Sequence, residues 1–250
     1  MPQIIACDKV SQATREKYAP EMLESANTPD GVDGRSTRWD AHKAQRRLAV
    51  LDAAVGAIER EGPGVGVKQI AEEVGVPRSV VYRHFKDRAD LDEQIRTRIV
   101  ESLMTELAPT LRPDGTATQA IRRAVTTYLG WIERHPRLHA FLGTGARPAG
   151  GGSGVVVGTK AAIAHQAAEL FAAALTPAGK DTGLAASIAF GIVGFVDAAV
   201  NRWLADKRAT LSTTEFTEFL TRSTWAILDS NLRASGVELD PDRPVSEILG

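Results

Sequence analysis

The sequence predicts an all-α fold. Apolar residues recur at spacings of three and four along most of the chain, strand-type alternation is absent, and glycine and proline cluster between the periodic segments. At 250 residues the chain can build a core that needs neither disulfide nor metal. Its single cysteine, Cys7, cannot form an intramolecular bridge and suits a reducing compartment. The opening MPQIIACDKV lacks the basic start and long apolar run of an export signal, so a cytoplasmic protein is expected.

Residues 1–38 mix Gln, Ser, Glu, Pro, Asp and Gly with few apolar positions and read as a disordered arm. A first domain, 39–87, opens with a helix whose buried stripe is Ala41, Ala44, Leu48, Leu51, Val55 and Ile58, stopped by Gly62, Pro63, Gly64 and Gly66. Two short helices follow over 67–74 and 78–84, parted by Gly75, Val76 and Pro77, with Ile70 and Val74 turned inward. A second domain, 88–238, begins with a long helix on Leu91, Ile95, Ile99, Leu103 and Leu107 that ends before Pro109 and is fit to link the two. Further helices are expected over 116–133, 136–142, 155–175, 183–207 and 213–234, the last capped by Ser212 or Thr213 with Glu215 at its positive end. The stretch GTGARPAGGGSG, 143–154, is a flexible loop by composition, and 239–250 is a tail. The most apolar segment, 183–196, is about 14 residues long, short of the roughly 20 that span a bilayer. A buried helix and no membrane partner are therefore expected.

Lys and Arg total 30 against 31 for Asp and Glu, so overall charge does not announce a polyanionic partner. Local charge does. In VKQIAEEVGVPRSVVYRHFKDRADL, 67–91, two short helices meet at a glycine turn, Gly75 supplying a positive backbone angle and Pro77 a helix-starting φ. The second helix has the layout of a reader of double-stranded DNA. Arg78 and Ser79 occupy its first turn, where an arginine can grip guanine O6 and N7 together. Val80 or Val81 suits a thymine methyl, Tyr82 and His84 can donate to phosphate, and Arg83 adds charge. Lys86 and Arg88 stand at the start of the next helix, where a backbone amide and a cation together clamp a phosphate. Arg46 and Lys68 are further candidates for the DNA backbone, as are Arg35 and Arg38 in the arm and Lys43 and Arg47 after it.

These residues resemble the tetracycline-repressor (TetR) family of one-component regulators, whose reading unit runs T-x-x-x-I-A-x-x-A-G-V-S-x-x-x-x-Y-x-x-F-x-x-K-x-x-L. Ile70, Ala71, Gly75, Val76, Tyr82, Phe85 and Leu91 match as they stand. Gly66 replaces the usual Thr, Val74 the Ala, Pro77 the Ser and Arg88 the Lys. The resemblance implies a three-helix DNA-binding domain, a bridging fourth helix, a helical ligand-binding domain, and a homodimer sealed by the last two helices. It also implies a repressor that binds a palindromic operator and is released by a small-molecule effector. Phe85 is expected in the core.

For that effector, taken to be largely apolar, candidate contacts are Trp131, Phe141, Phe171, Phe190, Phe195 and Asp197. A carboxylate on an apolar helix needs a partner, and for Asp197 the expected one is Arg202 or Asn201 of the other subunit. Gly191 and Gly194 would admit close backbone approach at the dimer interface, and Trp203, Phe216, Leu220, Ile227 and Leu228 would supply apolar area.

No enzyme or cofactor is expected. GVVVGTK, 154–160, has the wrong order and spacing for a P-loop, and Gly179 and Lys180 are followed by Asp181 rather than Ser or Thr. His135 and His139 lack further metal ligands, with Pro136 starting a helix between them. The rival reading is a helical ligand-binding or enzymatic protein that keeps the fold without specific DNA binding.

Overall fold

The computed structural model describes residues 34–112, 114–144, 152–176, 179, 181–206, 211–240 and 243–245, with side chains from residue 42 onward. The arm expected at 1–38 lies outside the described residues up to residue 33, as does the loop at 145–151. Backbone packing divides the chain at Gln45 and Arg46. The architecture below concerns the unit from Arg46 onward.

The described elements are helical: α1 (Gly34–Glu61), α2 (Val67–Val74), α3 (Arg78–Val81), α4 (Arg88–Leu107) with a 3-10 turn (Ala108–Leu111), α5 (Ala117–Arg134), α6 (Pro136–Gly143), α7 (Gly154–Leu175), α8 (Ala185–Ala205) and α9 (Thr213–Ala234). Caps fix several ends. The Thr116 and Gln119 pair opens α5, Ser153 opens α7, and Ser212 with Glu215 opens α9 as a reciprocal box. No strand is present among the described residues beyond a single bridge between Thr116 and Pro244.

One apolar core runs through the unit. It takes Val50, Leu51, Ala54, Ala57 and Ile58 from α1, Ile70 and Ala71 from α2, and Val81 and Phe85 from the reader segment. Leu91, Ile95, Ile99, Leu103 and Leu107 of α4 join these to Leu129, Trp131, Ile132, Phe141, Val200, Phe216 and Leu220. Thus α4 is shared, and residue 88 marks a change of role rather than a break in packing. On α1 the buried stripe starts at Val50, and Leu48 is 49% exposed. A smaller cluster joins Leu175, Leu228, Leu232 and Leu239, with Phe171, Trp225 and Val237 packed against it. The tail expected from 239 is therefore docked at its first residue, and Val245 N donates to Gly115 O at 2.8 Å.

Helix α8 differs from the buried helix expected of it. At 21 residues it is long and apolar enough to cross a bilayer by length and composition. Within the chain, however, its buried residues are only Ala185, Ala189, Ile192 and Val200. Phe190 and Leu204 are each 43% exposed, and Leu184 just before the helix 63%. The helix packs on α7 and α9 along one side, which leaves an apolar side uncovered by the described residues.

Candidate nucleic-acid interface

The segment from α2 to α4 folds as its turn chemistry dictates. Gly66 has no hydroxyl with which to cap α2, so Gln69 carries the cap alone, its Oε1 accepting from Gly66 N at 2.7 Å. The helix ends at Gly75, whose φ of 72° is left-handed, with Gly75 N donating to Glu72 O and Val76 N to Ala71 O. Pro77, at φ −60°, starts α3. Regular helix covers only Arg78–Val81, short of the span expected over 78–84. Beyond it, Arg83 N donates to Val80 O and His84 N to Val81 O, so the chain tightens into 3-10-like turns before the extended Asp87.

Two side chains lock this short helix in place. Val81 is fully buried and Phe85 is 2% exposed, with the Arg47 guanidinium 5.3 Å from the Phe85 ring centroid. The opposite face is open. Arg78, Ser79, Tyr82, Arg83 and Lys86 are exposed, while Val80 and His84 are half-buried. Arg78 and Tyr82, one turn apart, form a pair: Arg78 Nη2 donates to Tyr82 Oη at 3.2 Å, and the guanidinium lies 5.4 Å from the ring centroid. Arg46 and Lys68 are also exposed, Lys68 lying 3.8 Å from Glu72.

Arg88 departs from the expected phosphate contact. Its Nη2 donates to Val65 O at 3.0 Å and its Nε lies 2.8 Å from Asp92, so the guanidinium ties the α1–α2 loop to α4. The amides beside it are also engaged. Asp90 N donates to Asp87 Oδ1 and Lys86 N to Asp90 Oδ2, each at 2.8 Å. Asp90 continues through Gln94 Nε2, and Gln94 Oε1 accepts from Arg47 Nε at 3.0 Å, which fastens the reader's exit to α1. Desolvation raises the Asp90 pKa, but the hydrogen bonds from Lys86 N and Gln94 and the charges of Arg47 and Lys86 outweigh it, holding the carboxyl below its usual range.

The next turn of α4 grips the C-terminal helices. Glu93 Oε1 accepts from Ser153 Oγ at 3.0 Å and from Val155 N at 2.9 Å, so a carboxylate of α4 sits on the N-terminus of α7. Arg96, 7% exposed, donates to Thr144 O at 2.9 Å at the end of α6, and its guanidinium lies 5.1 Å from the Phe141 ring centroid. At the end of α1, Arg137 of α6 donates to the carbonyls of Glu59 and Arg60, and His135 Nδ1 lies 3.1 Å from Glu59 Oε1. Glu93, Gln94 and Arg96 were not legible as site residues, because their partners lie about fifty residues away or more.

The effector candidates do not gather at one place. Trp131 and Phe141 are core residues, 0% and 2% exposed. Phe171 packs in the smaller cluster, Phe190 stands edge-on to His165, and Phe195 lies 6.1 Å from Phe219. Asp197 pairs within its own chain: Lys160 Nζ of α7 is 2.7 Å away, and Asn201 Nδ2 donates to its Oδ1 at 3.2 Å. Nearby, Tyr128 Oη and His139 Nε2 lie 3.3 Å apart. Burial and the Asp197 charge push the tyrosine up; burial pulls the His139 pKa down against Asp197, with Lys160 adding to the fall. Among the residues expected at the dimer interface, Phe216, Leu220 and Leu228 are buried in their own chain, because the four-residue stripe of α9 that holds them faces inward. Phe219, 37% exposed, faces outward instead.

A glycine-turned helix pair with an outward basic and aromatic face, built on a shared helix and backed by a larger helical domain, defines a helix-turn-helix DNA-binding protein. Residues 50–95 match the family described as bacterial regulatory proteins, tetR family. An uncharacterized HTH-type transcriptional regulator of Mycobacterium tuberculosis is 30% identical over 206 residues, covering 82% of this chain and 86% of that one. The HTH-type transcriptional activator FasR of Mycolicibacterium smegmatis is 27% identical over 120 residues, 45% of this chain and 54% of that one. The fold is similar to the crystal structure of a tetR-family transcriptional regulator from Streptomyces coelicolor, with TM-score 0.59 at 18% identity over 82% of this chain and 95% of that one. The chain belongs to the TetR family of transcriptional regulators.

Proposed function

We propose that the protein is a cytoplasmic, ligand-responsive repressor that binds a palindromic operator as a homodimer. The observation that carries the reading is the Arg78 and Tyr82 pair, held outward by Val81 and Phe85 on the opposite face. Arg78 and Ser79 take base edges, Val80 a thymine methyl, and Tyr82, Arg83, Lys86, Arg46 and Lys68 the phosphates. His84, half-buried, borders the same face. Two readers about 34–36 Å apart then meet successive major grooves on one side of the duplex.

Dimerisation through α8 and α9 is supported by the uncovered apolar side of α8. Phe190, Leu204 and Phe219 are exposed, and a Cβ at Gly191 or Gly194 would meet nothing within 4 Å, so a second backbone can approach closely there. Transmission runs through α4, where neighbouring residues hold different partners: Glu93 holds the start of α7, while Gln94 and Asp90 hold α1 and the reader's exit. An effector that shifts α6 or α7 moves α4, and DNA is released in proportion to that effector's preference for the shifted state.

Selection of bound fragments from genomic DNA, followed by a shift assay, tests the reading. A palindromic consensus whose binding falls in Arg78→Ala and Tyr82→Ala, with unfolding temperature preserved, is expected. No specific complex at low salt would favour the rival reading, a helical protein that keeps the fold without reading DNA. One partial relative is named an activator, so a reporter driven by the selected site reads the sign of control.

A further inference from the structure

We propose that a cleft between α5 and α9 binds a small, flat organic monocarboxylate. The cleft, open to solvent on one side, offers about 240 Å³ and is lined by Thr118 and Arg122 of α5 and by Glu218, Thr221, Arg222 and Trp225 of α9. None of the residues assigned above to the effector lines it, so this site is separate and does not depend on that reading. The volume equals that of roughly eight liquid waters and falls below the range of drug-sized ligand pockets, which sets the ligand at the scale of one small ring with one polar group.

Charge fixes the polar group. Arg122 is ion-paired with Glu218, whereas Arg222 makes no hydrogen bond or ion pair with any described residue. Two guanidinium groups against one carboxylate leave a single excess positive charge, which matches a carboxylate better than a phosphate dianion. A guanidinium also presents the fork that two carboxylate oxygens fit. Inside the cleft, Thr221 is 4% exposed and its Oγ1 has no hydrogen-bond partner. A buried hydroxyl left without a partner costs about 1–3 kcal/mol, and a turn of the Thr221 side chain toward the cleft would let a carboxylate oxygen satisfy it. The remaining lining residues are Thr118 and Trp225, and the Trp225 indole offers a surface for the flat body of an aromatic acid.

The test uses the full chain with benzoate as probe at constant ionic strength, and with benzamide as the neutral look-alike. Benzoate is expected to raise the unfolding temperature and to change tryptophan emission saturably, with benzamide doing neither. Arg222→Ala and Thr221→Val are each expected to weaken benzoate binding by about tenfold or more. Trp225→Phe should remove the emission change while keeping the thermal one. The proposal fails if benzoate does not saturate, or if benzamide binds equally well. It fails also if the emission change survives in Trp225→Phe. Because Arg222 is exposed on the outward side of α9, sedimentation is measured alongside. An Arg222→Ala protein that loses its dimer yet binds benzoate as before would assign the arginine to the subunit interface and overturn the site.

Discussion

Lys86 and Arg88 are two cations two residues apart whose removal should have opposite signatures. Lys86 is exposed, and its ammonium is free to meet a phosphate. Arg88 is spent internally on Val65 O and Asp92. Arg88→Ala removes a charge-assisted hydrogen bond to a carbonyl and a partly exposed ion pair, and the side chain's 36% exposure discounts both. The loss is about 1–2 kcal/mol, which in a chain of this size lowers the unfolding temperature by about 2–8 °C. Lys86→Ala should leave that temperature nearly unchanged. Binding to a random-sequence duplex, followed by anisotropy between about 50 and about 200 mM salt, separates the roles: Lys86→Ala flattens the log–log salt slope by about 0.9 per reader, and Arg88→Ala leaves it alone. A flattened slope in Arg88→Ala with unchanged thermal stability would mean that the guanidinium abandons Val65 for DNA, and the assignment would be refuted.

Gly75→Ala forces a side chain into φ 72° in otherwise open space, so backbone strain alone should cost about 1–2 kcal/mol; an unchanged urea midpoint would contradict the left-handed turn. Gly66→Ser restores a capping hydroxyl at φ −86°, where any residue fits, and should add about 0.5–1 kcal/mol, read as a rise in the same midpoint. His139 titrates low because it is buried. The unfolded chain therefore binds more protons between the two pKa values, so stability is full above the free-histidine value of about 6.5 and falls as pH drops through the depressed folded value. Urea unfolding at a series of pH values should show that loss in the parent and less of it in His139→Gln.

Elements whose signal is periodic or local were legible in the sequence. The α4 stripe from Leu91 to Leu107, the Gly75 turn, a cap at Ser212, one of the two residues expected for it, and the inward Phe85 all appear as read, because each depends on residues within a turn or two of one another. Side chains whose partners are set by tertiary approach were not. Arg88 looked like a surface cation until the α1–α2 loop brought Val65 O to it, and Asp197 found Lys160, a helix earlier in the same chain, instead of a neighbour across the interface. The aromatic residues of the C-terminal helices show that residue type does not foretell burial. Trp131 and Phe141 bury fully in the core, while Phe190 stays at the surface, and nothing in their own periods separates the two fates.

The docking of Leu239 and the Val245 tie to Gly115 impose an order on synthesis. The reading head and α4 are complete once residue 107 has been translated, whereas the far leucine cluster lacks a wall until Leu239 has followed. A nascent chain thus completes its helix-turn-helix before it can finish the larger helical domain. A chain halted after residue 238 should accordingly show protease cuts around α9 while its N-terminal helices stay protected, and equal resistance at both ends would contradict this sequence of events.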